Sequence, residues 1–249
     1  MNRYGLLGLK LGHSQSKIIH EYFFKENNID ATYDLIEIEI NQIEEKLNLI
    51  RTGYYKGFNV TIPYKEEVIK FLDVLTDSAK NIGAVNTIYL KDGFLVGDNT
   101  DYLGFIDELN QYNIDVYNKD VYVLGSGGAS KAICYALRKV GANPIVVSRN
   151  NSLGITYEKL NEIEKIELIV NTTPVGMYPN IEGEVLPKDV VKKARCCVDL
   201  ICNPKQTKFL QYSQEGYNGL YMLIFQAFHA EKLWGNDIKF DAVKLHSIL

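Results

Sequence analysis

The sequence has no long apolar run, no excess of basic residues and no paired-cysteine motif, and each absence removes a class of function. No stretch of about 18 consecutive apolar residues occurs, so no membrane-spanning helix is expected. The N-terminus carries no basic region followed by an apolar core, so a secretory leader is not expected and the chain reads as cytoplasmic. The sequons at Asn59-Val60-Thr61 and Asn171-Thr172-Thr173 then have no glycosylation meaning. Lys and Arg number 27 against 31 Asp and Glu, a formal charge of −4, without the basic stripe of a nucleic-acid surface. The 17 tyrosines therefore read as core and rim residues, not as platforms for bases. Only four cysteines are present, none in a CxxC pair and none with a histidine at zinc-ligand spacing, so no metal is expected. Cys196 and Cys197 sit together in an apolar run and read as reduced strand residues.

What is present suits a soluble enzyme: 46% hydrophobic and 23% charged residues, over a length of 249 that allows one large domain or two small ones. Strand-like and helix-like pieces alternate. Residues 3–8 read as a strand, and a helix follows in which Ile18, Ile19, Tyr22 and Phe23 share a face and Ser16 is available as N-cap. Residues 32–38 read as a strand and 42–50 as a helix. Gly57 to Ile62 reads as a strand stopped by Pro63, with a helix through Val68, Phe71 and Leu72. Thr87–Leu90 and Phe94–Val96, joined by Lys91-Asp92-Gly93, suggest a hairpin. A helix over about 101–111 leads to a second series: strand 121–124, helix 128–140, strand 144–148, and weaker strands at 167–171 and 195–200. Such alternation implies parallel sheets covered by helices. The expected architecture is two α/β domains with a boundary near 101–118: residues 1–101, joined by C-terminal helices from about 220–249, and residues 102–219.

Val121-Tyr122-Val123-Leu124 runs directly into Gly125-Ser126-Gly127-Gly128-Ala129-Ser130. A dinucleotide loop needs a tight turn, close backbone approach to the pyrophosphate and a small residue where helix meets strand, which Gly125, Gly127 and Ser130 can supply. The following helix offers free N–H groups to a phosphate. An ordinary glycine turn is the alternative. At the end of the next strand, Ser148-Arg149-Asn150 holds no carboxylate for a ribose 2′-hydroxyl. Arg149 could instead take a 2′-phosphate, which favours NADP, or it is a solvated surface arginine.

The first hundred residues carry small polar side chains at strand ends and loops: Ser14 and Ser16, Asn59 and Thr61 two apart on one strand face, Lys65, Asn86 and Asp101. Hydroxyls, amides, one amine and one carboxylate suit a polyhydroxylated small acid. Each also has a structural reading, since Ser16, Thr100 and Asp101 could cap helices and Lys65 could be solvated. Ser14 with Lys17 matches SxxK, but the partner motifs of an acylating serine are missing.

Taken together, Gly12-His13-Ser14-Gln15-Ser16, Gly57-Phe58-Asn59-Val60-Thr61-Ile62-Pro63-Tyr64-Lys65, Gly83-Ala84-Val85-Asn86-Thr87, Gly97-Asp98-Asn99-Thr100-Asp101, Asn171-Thr172-Thr173-Pro174-Val175-Gly176-Met177 and Met222-Leu223-Ile224-Phe225-Gln226-Ala227 closely resemble the shikimate dehydrogenase family, in that family's order. The resemblance implies an N-terminal α/β substrate domain and a Rossmann-type NADP-binding domain with the active site in the cleft. It implies reversible NADPH-linked reduction of 3-dehydroshikimate to shikimate, with Lys65 and Asp101 as the catalytic pair. Ser14, Ser16, Asn59, Thr61, Asn86, Asp101 and Gln226 would line the pocket. Residues 125–130 (Gly125, Ser126, Gly127, Gly128, Ala129, Ser130), Ser148 and Arg149 would hold NADP, Leu200 and Gly219 would sit near the nicotinamide, and Asp77 occupies a position sometimes linked to the cofactor. The implied partners are the small-molecule substrate and a second copy of the chain in a homodimer, with no nucleic acid and no membrane. Two departures stand out. Asp199-Leu200-Ile201-Cys202-Asn203-Pro204 places Cys202 where the family commonly has a substrate-contacting tyrosine. Asn151, Ser152 and Leu153 offer no second basic residue after Arg149. A quinate/shikimate enzyme using NAD is therefore the nearest alternative, and a non-catalytic NADP-binding sensor the alternative of another class.

Overall fold

Short runs of β-branched and aromatic residues become strands here, and the amphipathic stretches between them become helices. In the computed structural model the elements follow in chain order as β1 (Asn2–Gly8), α1 (Ser16–Glu26), β2 (Ala31–Glu37), α2 (Ile43–Arg51), β3 (Gly57–Val60), β4 (Val74–Leu75), α3 (Asp77–Ile82), β5 (Thr87–Lys91), β6 (Phe94–Asp98), α4 (Asp101–Gln111), β7 (Asp120–Leu124), α5 (Gly128–Lys139), β8 (Asn143–Val147), α6 (Tyr157–Asn161), β9 (Ile166–Asn171), α7 (Lys188–Val191), β10 (Ala194–Asp199), α8 (Lys208–Tyr212), β11 (Gly216–Asn218), α9 (Leu220–Leu233) and α10 (Ala242–Ile248). The structure describes residues 1–12 and 14–249, so His13 of the first motif lies outside the described residues. Two compact units result, Met1–Gly104 with Leu223–Leu249, and Phe105–Met222.

The first unit is built on a six-stranded sheet of order β2-β1-β3-β5-β6-β4. β1 pairs parallel with β2 and β3, whereas β5 runs antiparallel to β3 and β6. The sheet is thus mixed, and β5 with β6 forms the hairpin read from Thr87–Leu90 and Phe94–Val96. The cause is the tight turn after β5: Asp92 (φ 52°) and Gly93 (φ 83°) both adopt the left-handed backbone of a two-residue hairpin, which reverses the chain. Ile43, Leu47 and Ile50 recur at helical spacing along α2 and are buried with Phe58, Ile88 and Leu95. A second cluster joins Tyr4, Phe24 and Tyr33 to Trp234, whose ring stacks on Tyr4 at 4.6 Å and whose Nε1 donates to the Ile88 carbonyl at 3.2 Å.

Three local expectations change. The strand read as 57–62 stops at Val60, because Thr61 already opens a turn in which its carbonyl accepts from Tyr64 N–H at 2.9 Å. The stretch after Pro63 is a 3-10 helix, Glu67–Phe71, not an α-helix. Ser16 does not cap α1: it is the first helical residue, Gln15 precedes it without a side-chain cap, and Ser14 Oγ accepts the Ser16 N–H at 3.3 Å. A serine hydroxyl reaches the amide two residues on more readily than its own.

The second unit holds a five-stranded sheet of order β11-β10-β9-β7-β8 in which every pairing is parallel. Its strands are near-continuous apolar runs, as a sheet buried on both faces requires. Strand order reverses at β7, with β8 on one side and β9 on the other, so the carboxyl end of β7 is the switch point where open α/β sheets bind ligands. Leu124, Val147, Ile169, Val191, Cys197 and Phe209 belong to its core. Among the described residues no helix is long and apolar enough to cross a membrane.

Candidate active site

The first unit concentrates its polar side chains where β3, β5 and the start of α4 meet. Lys65 follows the turn after β3, and its carbonyl accepts Val85 N–H at 2.7 Å, which ties that turn to the residue before Asn86. Asp101 opens α4, its amide bound to Asn99 Oδ1 at 3.0 Å. Lys65 Nζ donates to Asp101 Oδ2 at 2.7 Å, with side-chain exposures of 16% and 6%. At that burial the pair interacts in a medium less screening than water, and a short charge-assisted bond fixes the amine.

Asn86 is the hub. Its Nδ2 donates to Asp101 Oδ1 at 2.8 Å, with Thr100 Oγ1 at 3.0 Å and Gln226 Oε1 at 3.3 Å also in range. Its Oδ1 accepts from Thr100 N–H at 2.7 Å and from Thr87 Oγ1 at 2.9 Å. Asn59 is equally committed: Oδ1 accepts from Tyr33 at 2.8 Å, and Nδ2 donates to Asn86 O at 3.2 Å and Thr87 Oγ1 at 3.1 Å. Of the residues singled out in the sequence, Lys65, Asp101, Asn86, Asn59 and Gln226 are therefore brought together. Ser14 and Ser16 form their own turn at the head of α1, and Thr61 lies half-buried just past β3. Asp77 stands exposed at the first turn of α3, its carbonyl bound to the Asn81 amide. Thr87 and Tyr33 are members of this cluster that the sequence did not single out, and Thr100, read there as a possible helix cap, is a third member. The two threonines directly follow asparagines of the quoted motifs, whereas an aromatic in an alternating strand reads only as core.

In the second unit β7 delivers the glycine loop. Gly125 takes φ 104°, and a Cβ there would meet Thr172 Oγ1 at 2.9 Å, so only glycine serves. Gly127 is different. Its φ of −81° suits any residue and a Cβ would meet no atom within 4 Å. The fold does not need glycine there, while a group approaching the backbone would. Gly128, Ala129 and Ser130 then open α5, whose start has no side-chain cap, leaving its first N–H groups to an anion. Ser130 is buried, as the small contact residue between helix and sheet must be. Ser148 is buried past β8, with Oγ bonded to Asn150 O at 2.7 Å, and Arg149 beside it is exposed. The open cradle above Gly127, the uncapped helix and the exposed guanidinium fit a dinucleotide carrying a 2′-phosphate.

The loop after β10 is pinned by a residue the sequence reading passed over. Asp199 accepts from Thr207 Oγ1 at 2.6 Å, Asn171 Nδ2 at 3.0 Å and Ile201 N–H at 3.1 Å. Burial nonetheless pushes its carboxyl up to about 6. Leu200 and Gly219 touch: a Cβ on Gly219 would lie 2.8 Å from Leu200 Cα and O, so the approach is open to glycine alone. Cys202 is partly buried and its Sγ lies 3.8 Å from Leu200 O. Burial, with Glu108 and Asp199 nearby, raises its thiol well above the ordinary range, so it is no nucleophile.

Residues 6–88 match the model of the shikimate dehydrogenase substrate binding domain. The shikimate dehydrogenase (NADP(+)) of Clostridium perfringens is 42% identical, over 97% of this chain and 94% of that protein. The crystal structure of shikimate dehydrogenase 1 from Peptoclostridium difficile superposes with a TM-score of 0.90 at 39% identity, covering 100% of this chain and 97% of that one. Shikimate 5-dehydrogenase from Thermus thermophilus, solved in complex with NADP(H) and shikimate, gives a TM-score of 0.89 at 29% identity, covering 99% and 98%.

Proposed function

The chain belongs to the shikimate dehydrogenase family, and from that membership we propose that it is an NADP-dependent shikimate dehydrogenase, reversibly reducing 3-dehydroshikimate to shikimate. The observation that carries the reading is the Lys65–Asp101 pair at 2.7 Å with Asn86 bonded to the same carboxylate. We assign substrate binding to the first unit and nucleotide binding to the second. When bound, NADP supplies or accepts the hydride. Lys65 gives a proton to the substrate oxygen as the ketone is reduced and takes it back in oxidation. Asp101 orients the amine and, with Asn86, fixes the place of that oxygen. Ser14, Ser16, Thr61 and Gln226 hold the rest of the acid, and Asn59 supports the group from behind. Residues 125–130 hold the pyrophosphate, Arg149 with Ser148 the 2′-phosphate, and Leu200 with Gly219 the nicotinamide. Asp77 is carried with the nucleotide group on resemblance alone.

One observation favours a second reading of the cofactor. Arg149 is the sole basic residue at the end of β8, followed by Asn150, Asn151 and Ser152, which leaves room for NAD. Cys202 in place of a phenol likewise leaves room for quinate. Steady-state rates at 340 nm with shikimate and quinate, each against NADP and NAD, separate the readings. Shikimate with NADP is expected to have the highest kcat/KM, and no reduction of either nucleotide with either acid would refute the enzyme reading. Four free cysteines fit a reducing cytoplasm. The homodimer of this reading would sediment at twice the chain mass of 28.3 kDa.

A further inference from the structure

The active-site cluster is wired to a buried aromatic stack that the chemistry does not touch. From the donors and acceptors in the first unit, we infer that Tyr33 is a positioning residue for Lys65 and Asp101, acting through a one-way relay of hydrogen bonds. Tyr33 Oη donates to Asn59 Oδ1 at 2.8 Å, and Asn59 Nδ2 donates to Thr87 Oγ1 at 3.1 Å. Thr87 Oγ1 donates to Asn86 Oδ1 at 2.9 Å, and Asn86 Nδ2 donates to Asp101 Oδ1 at 2.8 Å. Lys65 Nζ closes the relay on Asp101 Oδ2 at 2.7 Å. The four bonds from Tyr33 to Asp101 point the same way, so each of those side chains is oriented by the one before it, and Lys65 donates into the carboxylate at the end of the run.

A carboxamide can be turned end for end with little change of shape, and only its partners decide which end carries the oxygen. Asn86 is held from one side by Thr100 N–H at 2.7 Å. At the far end Asn59 Oδ1 has Tyr33 as its side-chain donor, and Thr87 between them is a free rotor that must accept from one asparagine to donate to the other. Tyr33 is suited to this. It is fully buried, and its ring lies parallel to that of His20 at 4.0 Å and 6°. His20 Nδ1 is bonded to Glu231 on α9, both fully buried, and Glu231 is held in turn by Asn236 Nδ2. Burial and the nearby Glu231 raise the phenol well above its usual range, so it stays an O–H donor.

The inference rests on the dehydrogenase reading, and two measurements separate the failure of one from the failure of the other. Tyr33→Phe keeps the ring in its stack and removes only the first donor. It is expected to lower kcat for shikimate oxidation about fivefold, the scale of one buried acceptor left unsatisfied, with the nucleotide KM unchanged. Tyr55→Phe is the control: Tyr55 packs in the same unit but donates to Asp34 at 2.8 Å, outside the relay, and its kcat should stay within about twofold of wild type. Thr87→Val cuts the relay at its rotor, so the double variant Tyr33→Phe/Thr87→Val should lose no more than Thr87→Val alone. The side-chain amide resonances of Asn59 and Asn86 should shift in Tyr33→Phe whether or not the protein oxidises shikimate. Losses that multiply in the double variant, an equal loss in Tyr55→Phe, or Asn86 resonances unmoved in Tyr33→Phe would each overturn the relay.

Discussion

Glu108, on α4 in the second unit, is a fully buried carboxyl. Among the described residues neither carboxyl oxygen has a hydrogen bond of good geometry, and the Met222 backbone beside it compensates in part. Burial therefore holds its carboxyl well above the usual range, and the folded chain keeps it protonated where the unfolded chain does not. The sign of the linkage follows. The group costs nothing below its unfolded pKa of about 4.3, and stability is lost as pH rises from there to the folded pKa. Across that window one proton separates the two states, so wild type loses about 1.4 kcal/mol per pH unit through this group alone. Glu108→Gln keeps the shape and cannot ionise. Urea unfolding at a series of pH values above the unfolded pKa, extrapolated to water, should show the variant gaining on wild type as pH rises, by no more than about 1.4 kcal/mol per pH unit and only until the folded carboxyl ionises. A difference that does not change with pH would refute the reasoning, because it would mean that Glu108 titrates in the folded chain as it does in the unfolded one.

The nucleotide site offers three further substitutions. Gly127→Ala places a methyl where no atom lies within 4 Å, so stability should stay within about 0.5 kcal/mol while KM for NADP rises about tenfold or more; an unchanged KM would empty the cradle of its meaning. Arg149→Gln should raise KM for NADP about tenfold or more, the value of a charge-assisted phosphate contact, and leave KM for NAD alone; equal effects on both would remove Arg149 from the 2′-phosphate. Gly219→Ala drives a methyl to 2.8 Å from the Leu200 backbone and should cost about 1–3 kcal/mol in urea unfolding, whereas a neutral outcome would show that the β10 loop yields.

Most of the second unit was legible in the sequence because a buried parallel sheet leaves a strong mark. Its strands are short apolar runs and Gly125, Gly127 and Gly128 mark the turn after β7, whereas the three-residue edge strand β11 and the short helices α6, α7 and α8 are too short to show a pattern. The first unit was harder. β4 is two residues long, and although the hairpin of β5 and β6 was legible at Asp92-Gly93, its antiparallel pairing with β3 is a long-range contact that no local pattern reports. The site divides the same way. Lys65, Asn86 and Asp101 are visible as polar residues in glycine-flanked motifs, and the structure supplies the 2.7 Å contact that makes two of them a pair. Tyr33 and Glu108 were invisible for opposite reasons. A tyrosine in an alternating strand looks like core, and a glutamate in the amphipathic pattern of α4 looks solvated, since periodicity reports the face a residue occupies and not the bonds it lacks.

The proton chemistry assigned to Lys65 is the claim on which the rest depends. Lys65→Gln keeps a hydrogen-bond donor for Asp101 and removes the ionisable amine. Calorimetric binding of shikimate and turnover at 340 nm, measured on the same preparation, should show binding within about tenfold of wild type and kcat lower by roughly 10²–10⁴-fold. Retention of wild-type kcat by that variant would contradict the account.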